Sequence, residues 1–361
     1  MYIWSMKLIS FIILHTIATS HFQPGGDTLK ILFMGDIMQH QAQLDAAQKK
    51  GRGKQNSGTY DYSTYFKHLQ SRFDKTDLRV ANMETTFAPA PYSGYPNFSS
   101  PASLLSDCKK NGIDLFLAAN NHTCDKGKRG IEGSISLYDS LKVLYTGIYR
   151  NKKEEKERNP LIVELKGFRI AFLNYTYATN GIPVPDPYVV KLLDSNVVKK
   201  DIARAKAKNP DFIIACLHWG TEYVLSHSRE QENWAKLFNR EGINIIIGSH
   251  PHVTQDVDIR RELSGEINGV TVYSLGNAIS NMTAVYTRLG MIFQIDLVKN
   301  WLGECRILAP KFEYIWTTRP GTLEKNFSII PVEDYIDKPH KLHNRDDYKK
   351  MKNQYLKVKN D

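Results

Sequence analysis

The chain has 361 residues, 42% hydrophobic and 24% charged, a globular composition that excludes a disordered or fibrous polymer and leaves room for one large domain or two ordinary ones. Its formal charge of +10 is spread along the sequence without a nucleic-acid recognition motif, so an anionic polymer or a lipid surface is the partner to weigh, ahead of nucleic acid. The four cysteines, Cys108, Cys124, Cys216 and Cys305, show no C-x-x-C and argue against a disulfide framework, with a single Cys108 to Cys124 bridge left open.

The first segment, MYIWSMKLISFIILHTIATSHF, carries an apolar stretch from Leu8 to Ile17 behind Lys7 and ahead of Ala18, Thr19 and Ser20. That pattern predicts a signal peptide over residues 1–20 and an exported, periplasmic or envelope-associated protein, with an uncleaved N-terminal membrane anchor as the alternative. Short apolar runs follow in chain order: LKILFMGD (29–36), LRVANMET (78–85), GIDLFLAANNH (112–122), FRIAFLNYT (168–176), DFIIACLHWG (211–220), INIIIGSHPH (243–252) and GVTVYSLGN (269–277). Each reads as a strand that stops at glycine or polar residues. Between several of them lie helical patterns, IEGSISLYDSLKVL, VKKDIARAKAK and EQENWAKLFNREG, the last with Gly242 as its stop. This alternation predicts an α/β fold. RNKKEEKERNP (150–160) reads as a surface turn, and NGIPVPDPY (180–188) as an ordered loop overhanging the site. The principal domain is placed at 29–320. A basic extension covers 321–361, whose last 24 residues hold eight Lys or Arg against three Asp.

Polar residues gather where the strands end. Asp36 closes the first, Asn82 and Glu84 the second, and Asn120, Asn121 and His122 the third, with Asp125 shortly after. His218, followed by Glu222 and Tyr223, closes another, and His250 and His252 stand directly after three isoleucines. Residues i and i+2 of an extended segment project to one side, so the last two imidazoles are expected to face one point. Taken singly, Asp36 can be a helix cap, Asn121 a turn former and His218 a core histidine. Together they form the mixed oxygen and nitrogen set that holds a pair of divalent ions such as Mn²⁺, Fe²⁺ or Zn²⁺, gathered beyond the carboxyl ends of a sheet.

Gly35-Asp36, Asn82-Met83-Glu84, Asn120-Asn121-His122 with Asp125-Lys126-Gly127, His218 to Tyr223, Gly248 to His252 and Ser274-Leu275-Gly276-Asn277 stand in the order of the capsule-synthesis CapA family. The chain resembles that family, also called poly-γ-glutamate biosynthesis accessory proteins and similar to calcineurin-like metallophosphatases, over about residues 29 to 295. The resemblance implies a four-layered α/β/β/α sandwich and a metal site of Asp36, Glu84, Asn121, His218, His250 and His252. It also implies His122 as the catalytic acid, with Asp125 orienting it, and a substrate side lined by Glu222, Tyr223 and Asn277. Glu84 stands where the phosphatases bring an aspartate. The D-x-H that opens the phosphatase pattern is missing, and the nearest histidine after Asp36 is His40. The expected chemistry is attack of a metal-activated water on a phosphoester or a γ-glutamyl amide. The alternative is a non-catalytic accessory that binds an anionic polymer and assists a membrane-bound synthase or exporter.

Overall fold

The computed structural model describes residues 26–49 and 59–360, and the apolar N-terminal stretch lies outside the described residues. Among those described, no helix is long and apolar enough to cross a membrane.

Two sets of parallel strands dominate. In the first, Asp27–Ile37 pairs with Leu78–Met83, which pairs with Leu115–Leu117, then Leu144–Thr146. In the second, Phe168–Thr176, Phe212–His218, Ile245–Ser249 and Ile267–Val272 follow one another in parallel. Antiparallel strands Leu289–Lys299 and Cys305–Ile307 join the two sets into one continuous ladder.

Strand alternation turns this ladder into layers. Leu29, Ile31 and Phe33 point into a core shared with Ile170, Phe172, Ile214, Cys216, Ile245 and Ile247 from the second set. The intervening Leu32 and Met34 face Leu104, Leu105, Ile131 and Ile135, which lie on helices Ala102–Lys110 and Gly127–Ser140. On the other side Ala171, Leu173, Ala215 and Ile246 face Val198, Ile202, Ala235 and Phe238 of helices Ser195–Lys206 and Arg229–Arg240. A period-2 side-chain pattern with both faces buried thus produces the expected α/β/β/α order. Ile245, Ile246 and Ile247 are all buried, two toward the shared core and one toward the helices.

Several local expectations need correction. RNKKEEKERNP is not a turn: Lys152–Arg158 is helical, because Asn151 accepts the Glu154 N–H as an N-cap and Glu154 pairs with Arg150 and Arg158 one turn away on either side. The pattern IEGSISLYDSLKVL starts late and ends late, since the helix is Gly127–Ser140 and Leu144 already belongs to a strand. The four cysteines are free thiols, and Cys216 sits fully buried mid-strand as a small apolar residue. Within 321–361, strand Ser328–Pro331 pairs with Lys311–Thr318, and helix Arg345–Asn360 packs Met351 and Tyr355 against Trp316 and Ile330.

Candidate metal centre

The carboxyl ends of both parallel sets meet, and their polar residues with them. Asp36, Glu84, Asn121, His122, Asp125, His218, His250, His252 and Asn277 are all buried. Asp36 is delivered by a close backbone crossing: its N–H donates to the Gly276 carbonyl at 3.1 Å, and a Cβ on Gly35 would lie 1.8 Å from that same oxygen. Only glycine fits there. The register shift of the first strand at Asp36 turns its side chain toward the second sheet, where the His250 N–H donates to its Oδ2 at 3.3 Å.

Glu84 is the centre of the arrangement. Its side chain is fully buried, and neither carboxylate oxygen has a hydrogen-bond partner. Around its Oε1 stand three imidazole nitrogens: His218 Nε2 at 3.7 Å, His252 Nε2 at 3.9 Å and His122 Nε2 at 4.0 Å. Burial first, and then the neighbouring Asp36 and Glu222 carboxylates, push the Glu84 carboxyl well above the usual carboxylate range. A protein seldom buries an acceptor without a donor, and these spacings are too long for direct hydrogen bonds. They suit a cation seated between the groups. Two donor sets close enough to hold an ion share Glu84: one with His250 and His252, the other with Asp36 and His218. The residues present therefore fit divalent-metal binding, with Glu84 common to both donor sets.

The histidines are fixed in different ways. His218 is held by Ser249 Oγ and Asn82 at Nδ1, 3.2 and 3.3 Å, and its Nε2 lies 2.9 Å from Asn121 Oδ1. Burial and the neighbouring imidazoles lower its pKa well below the usual value, so it stays neutral, as a ligand must. His250 is pushed down to about 3 by the same causes, and its Nδ1 is buried without a partner. His252 is the exception. Burial lowers it, but its contacts to Asp36, Glu222 and Asn277 outweigh burial and raise it. Its Nδ1 lies 2.9 Å from Asn277 Oδ1, which leaves Nε2 facing Glu84.

The expectation of an extended His250-Pro251-His252 segment is wrong in its geometry. His250 has φ +101° and His252 φ +60°, both in the left-handed region, and their ring centroids are 5.9 Å apart. Backbone reversal, not strand alternation, aims the two imidazoles at the same carboxylate.

His122 lies at the edge of the cluster. Its Nδ1 is 2.8 Å from Asp125 Oδ2, which also accepts the Phe98 N–H at 2.7 Å. The ring packs edge-on against Phe98, leaving Nε2 toward Glu84 and the opening. A cavity of about 440 Å³ opens over the site and includes His122, Asn121, His252, Glu222 and Tyr223 in its walls. Asn277 is not among its lining residues and serves His252 from behind. His40 lines this cavity without joining either donor set. Its ring is 3.2 Å from Gln43 Oε1 and accepts the Asn281 N–H, and burial is the main cause lowering its pKa to about 4.

Three contributors were not assigned from the sequence. Asn82 Nδ2 donates to Asp36 Oδ1 at 2.7 Å and touches His218, so it sets both side chains. Tyr177 packs on His250 with centroids 4.6 Å apart, and Asn180 accepts from Asn121 Nδ2 at 3.3 Å. Asn82 stood in the strand-end pattern beside Glu84 and was legible there, whereas Tyr177 and Asn180 carry no sequence signal.

Residues 30–282 match the family model of the bacterial capsule synthesis protein PGA_cap. The capsule biosynthesis protein CapA of Bacillus anthracis is 26% identical over 285 residues, covering 76% of this chain and 65% of the relative. The chain thus spans somewhat under two thirds of that relative's length. The PGA biosynthesis protein CapA of Bacillus subtilis is 24% identical over 299 residues, covering 78% of this chain and 71% of its own length. Among solved structures, the NAD nucleotidase of Haemophilus influenzae aligns at 12% identity and TM-score 0.49, covering 91% of this chain and 62% of that one. A putative 5'-nucleotidase of Staphylococcus aureus aligns at 10% identity and TM-score 0.48, covering 91% and 58%. The strand-end motifs and the family model agree, and the chain belongs to the bacterial capsule synthesis (CapA, PGA_cap) family.

Proposed function

We propose that this chain is a divalent-metal-dependent hydrolase of capsule or poly-γ-glutamate metabolism, acting on a phosphoester or a γ-glutamyl amide outside the cytoplasm. The observation that carries the reading is Glu84, a buried carboxylate with no hydrogen bond and three imidazole nitrogens 3.7 to 4.0 Å away. Asp36, Glu84, Asn121, His218, His250 and His252 would hold the ions, which supply Lewis acidity and an activated water. His122 does the proton work: Asp125 accepts from Nδ1–H, so Nε2 is the atom that takes up a proton and, from the imidazolium form, hands it to a leaving group in the cavity. Glu222 and Tyr223, both partly exposed at the rim, bear on the substrate. Phe98 packs edge-on against His122 and Tyr177 against His250, fixing the two rings.

The test is metal content by mass spectrometry on chain purified without chelator, beside a His250→Ala/His252→Ala variant. About two equivalents of a transition metal, lost in the variant, are expected. No metal after supplementation with Mn²⁺ or Zn²⁺ refutes the reading. The second reading, a non-catalytic binder of anionic polymer assisting a membrane synthase, draws on the +10 charge. It needs a surface other than the metal cavity, whose lining contains no Lys or Arg.

A further inference from the structure

A second cavity, of about 510 Å³, lies where helices Lys152–Arg158 and Ser195–Lys206 meet strand Val189–Val190. Its base is a closed ionic cluster. Lys191, nearly inaccessible, reaches Glu155 at 2.9 Å and Asp201 at 2.7 Å, and Arg204 pairs with the same two carboxylates. Two cations and two anions cancel, which leaves Arg204 Nη1 buried without a hydrogen-bond partner. Three further ammonium groups stand on the walls, Lys152 and Lys156 one helical turn apart and Lys200 on the facing helix. All three are exposed, and none has an ion pair or hydrogen bond among the described residues. The one remaining acid, Asp194, is engaged as the N-cap of its helix. Between the ammonium groups lie Val189, Leu192 and Val197, the last two exposed.

Free cations separated by apolar strips fit a flexible polycarboxylate, whose charges are spaced by methylene and amide groups, better than a dense polyphosphate. The segment that floors this cavity is continuous with the metal site. Asn180 and Ile182 line the metal cavity, while Val189 to Leu192 line the basic one. Val189 lies seven positions beyond Ile182, a reach of at most about 25 Å. The main chain ties the ends together as well: the Thr176 N–H donates to the Lys191 carbonyl, and the adjacent Tyr177 packs on His250.

We infer that the Lys152, Lys156 and Lys200 cavity is an exosite that holds an anionic polycarboxylate strand beside the metal centre. The inference extends the polymer reading above but does not depend on hydrolysis. The experiment is fluorescence anisotropy of labelled poly-γ-glutamate with the full chain, in chelator and at two salt concentrations. Lys152→Ala/Lys156→Ala/Lys200→Ala is compared with Lys338→Ala/Lys349→Ala/Lys350→Ala, which removes equal charge from the C-terminal region. The exosite variant should bind roughly tenfold more weakly or worse, with a flatter salt dependence, while the control keeps wild-type affinity. Metal content and turnover of a small chromogenic phosphoester should be unchanged in both. Equal losses in the two variants, unchanged affinity in the first, or no binding by wild type overturns the exosite. Competition by polyphosphate as strong as that by polyglutamate overturns its carboxylate preference. Lost turnover with intact binding counts only against the hydrolase reading.

Discussion

Glu84→Gln separates a metal ligand from a structural carboxylate. The substitution keeps shape and removes a charge that the fold buries without a donor. In metal-free protein it should leave stability unchanged or raise it, because burial and the carboxylates of Asp36 and Glu222 already disfavour the ionised form. Metal binding should move the other way. At a metal concentration of about 100 times Kd, wild type gains about 2.7 kcal/mol of stability. If losing the shared ligand weakens binding about 100-fold, the variant gains only about 0.4 kcal/mol at that concentration. For a domain of this size the difference is a shift in melting temperature of roughly 3 °C. The assay is thermal unfolding with and without Mn²⁺ or Zn²⁺, after chelation. An equal metal-induced shift in both proteins would refute Glu84 as the common ligand. A metal-free variant markedly less stable than wild type would show that Glu84 serves the fold.

Three further outcomes follow from the same geometry. His122→Ala should abolish turnover while metal content stays near wild type, and Asp125→Asn should give an intermediate loss; metal lost from the alanine variant would place His122 among the ligands. Asn277→Ala frees the His252 ring and should lower metal affinity roughly 10- to 100-fold, read by competition with a chromogenic chelator. In metal-free protein, His40 contributes stability that is present above pH 6.5 and lost as pH falls toward about 4, because the buried ring resists protonation. That loss is on the order of 3 kcal/mol, and His40→Gln should flatten the pH dependence of urea unfolding over this window.

The strand ends were legible because the signal is repeated: a short apolar run stopping at Asp36, at Glu84, at His122, at His218 and at His250 says the same thing each time. The layer order came from the family resemblance; Ile245 to Ile247 read as a strand buried on both faces, which says nothing of what covers each face. Leu289–Lys299 was harder to read, because nearly all its residues are buried and no alternation marks it. Lys152–Arg158 looked like solvated loop because its stability comes from an N-cap and from Glu155 pairing with Lys191, 36 residues away. The aim of His250 and His252 depends on two backbone angles that no side-chain pattern records.

The position of Glu84 among the histidines has a consequence for how the molecule comes apart. Glu84 belongs to the first parallel set, whereas His218, His250 and His252 follow strands of the second, so any ion they share is a cross-link between the two halves of the sandwich. Such a link acts on the unfolded chain as a loop closure between residues 134 to 168 positions apart. Neither half can then open while the other keeps its ion. Loading the site should therefore raise protease protection in both halves together.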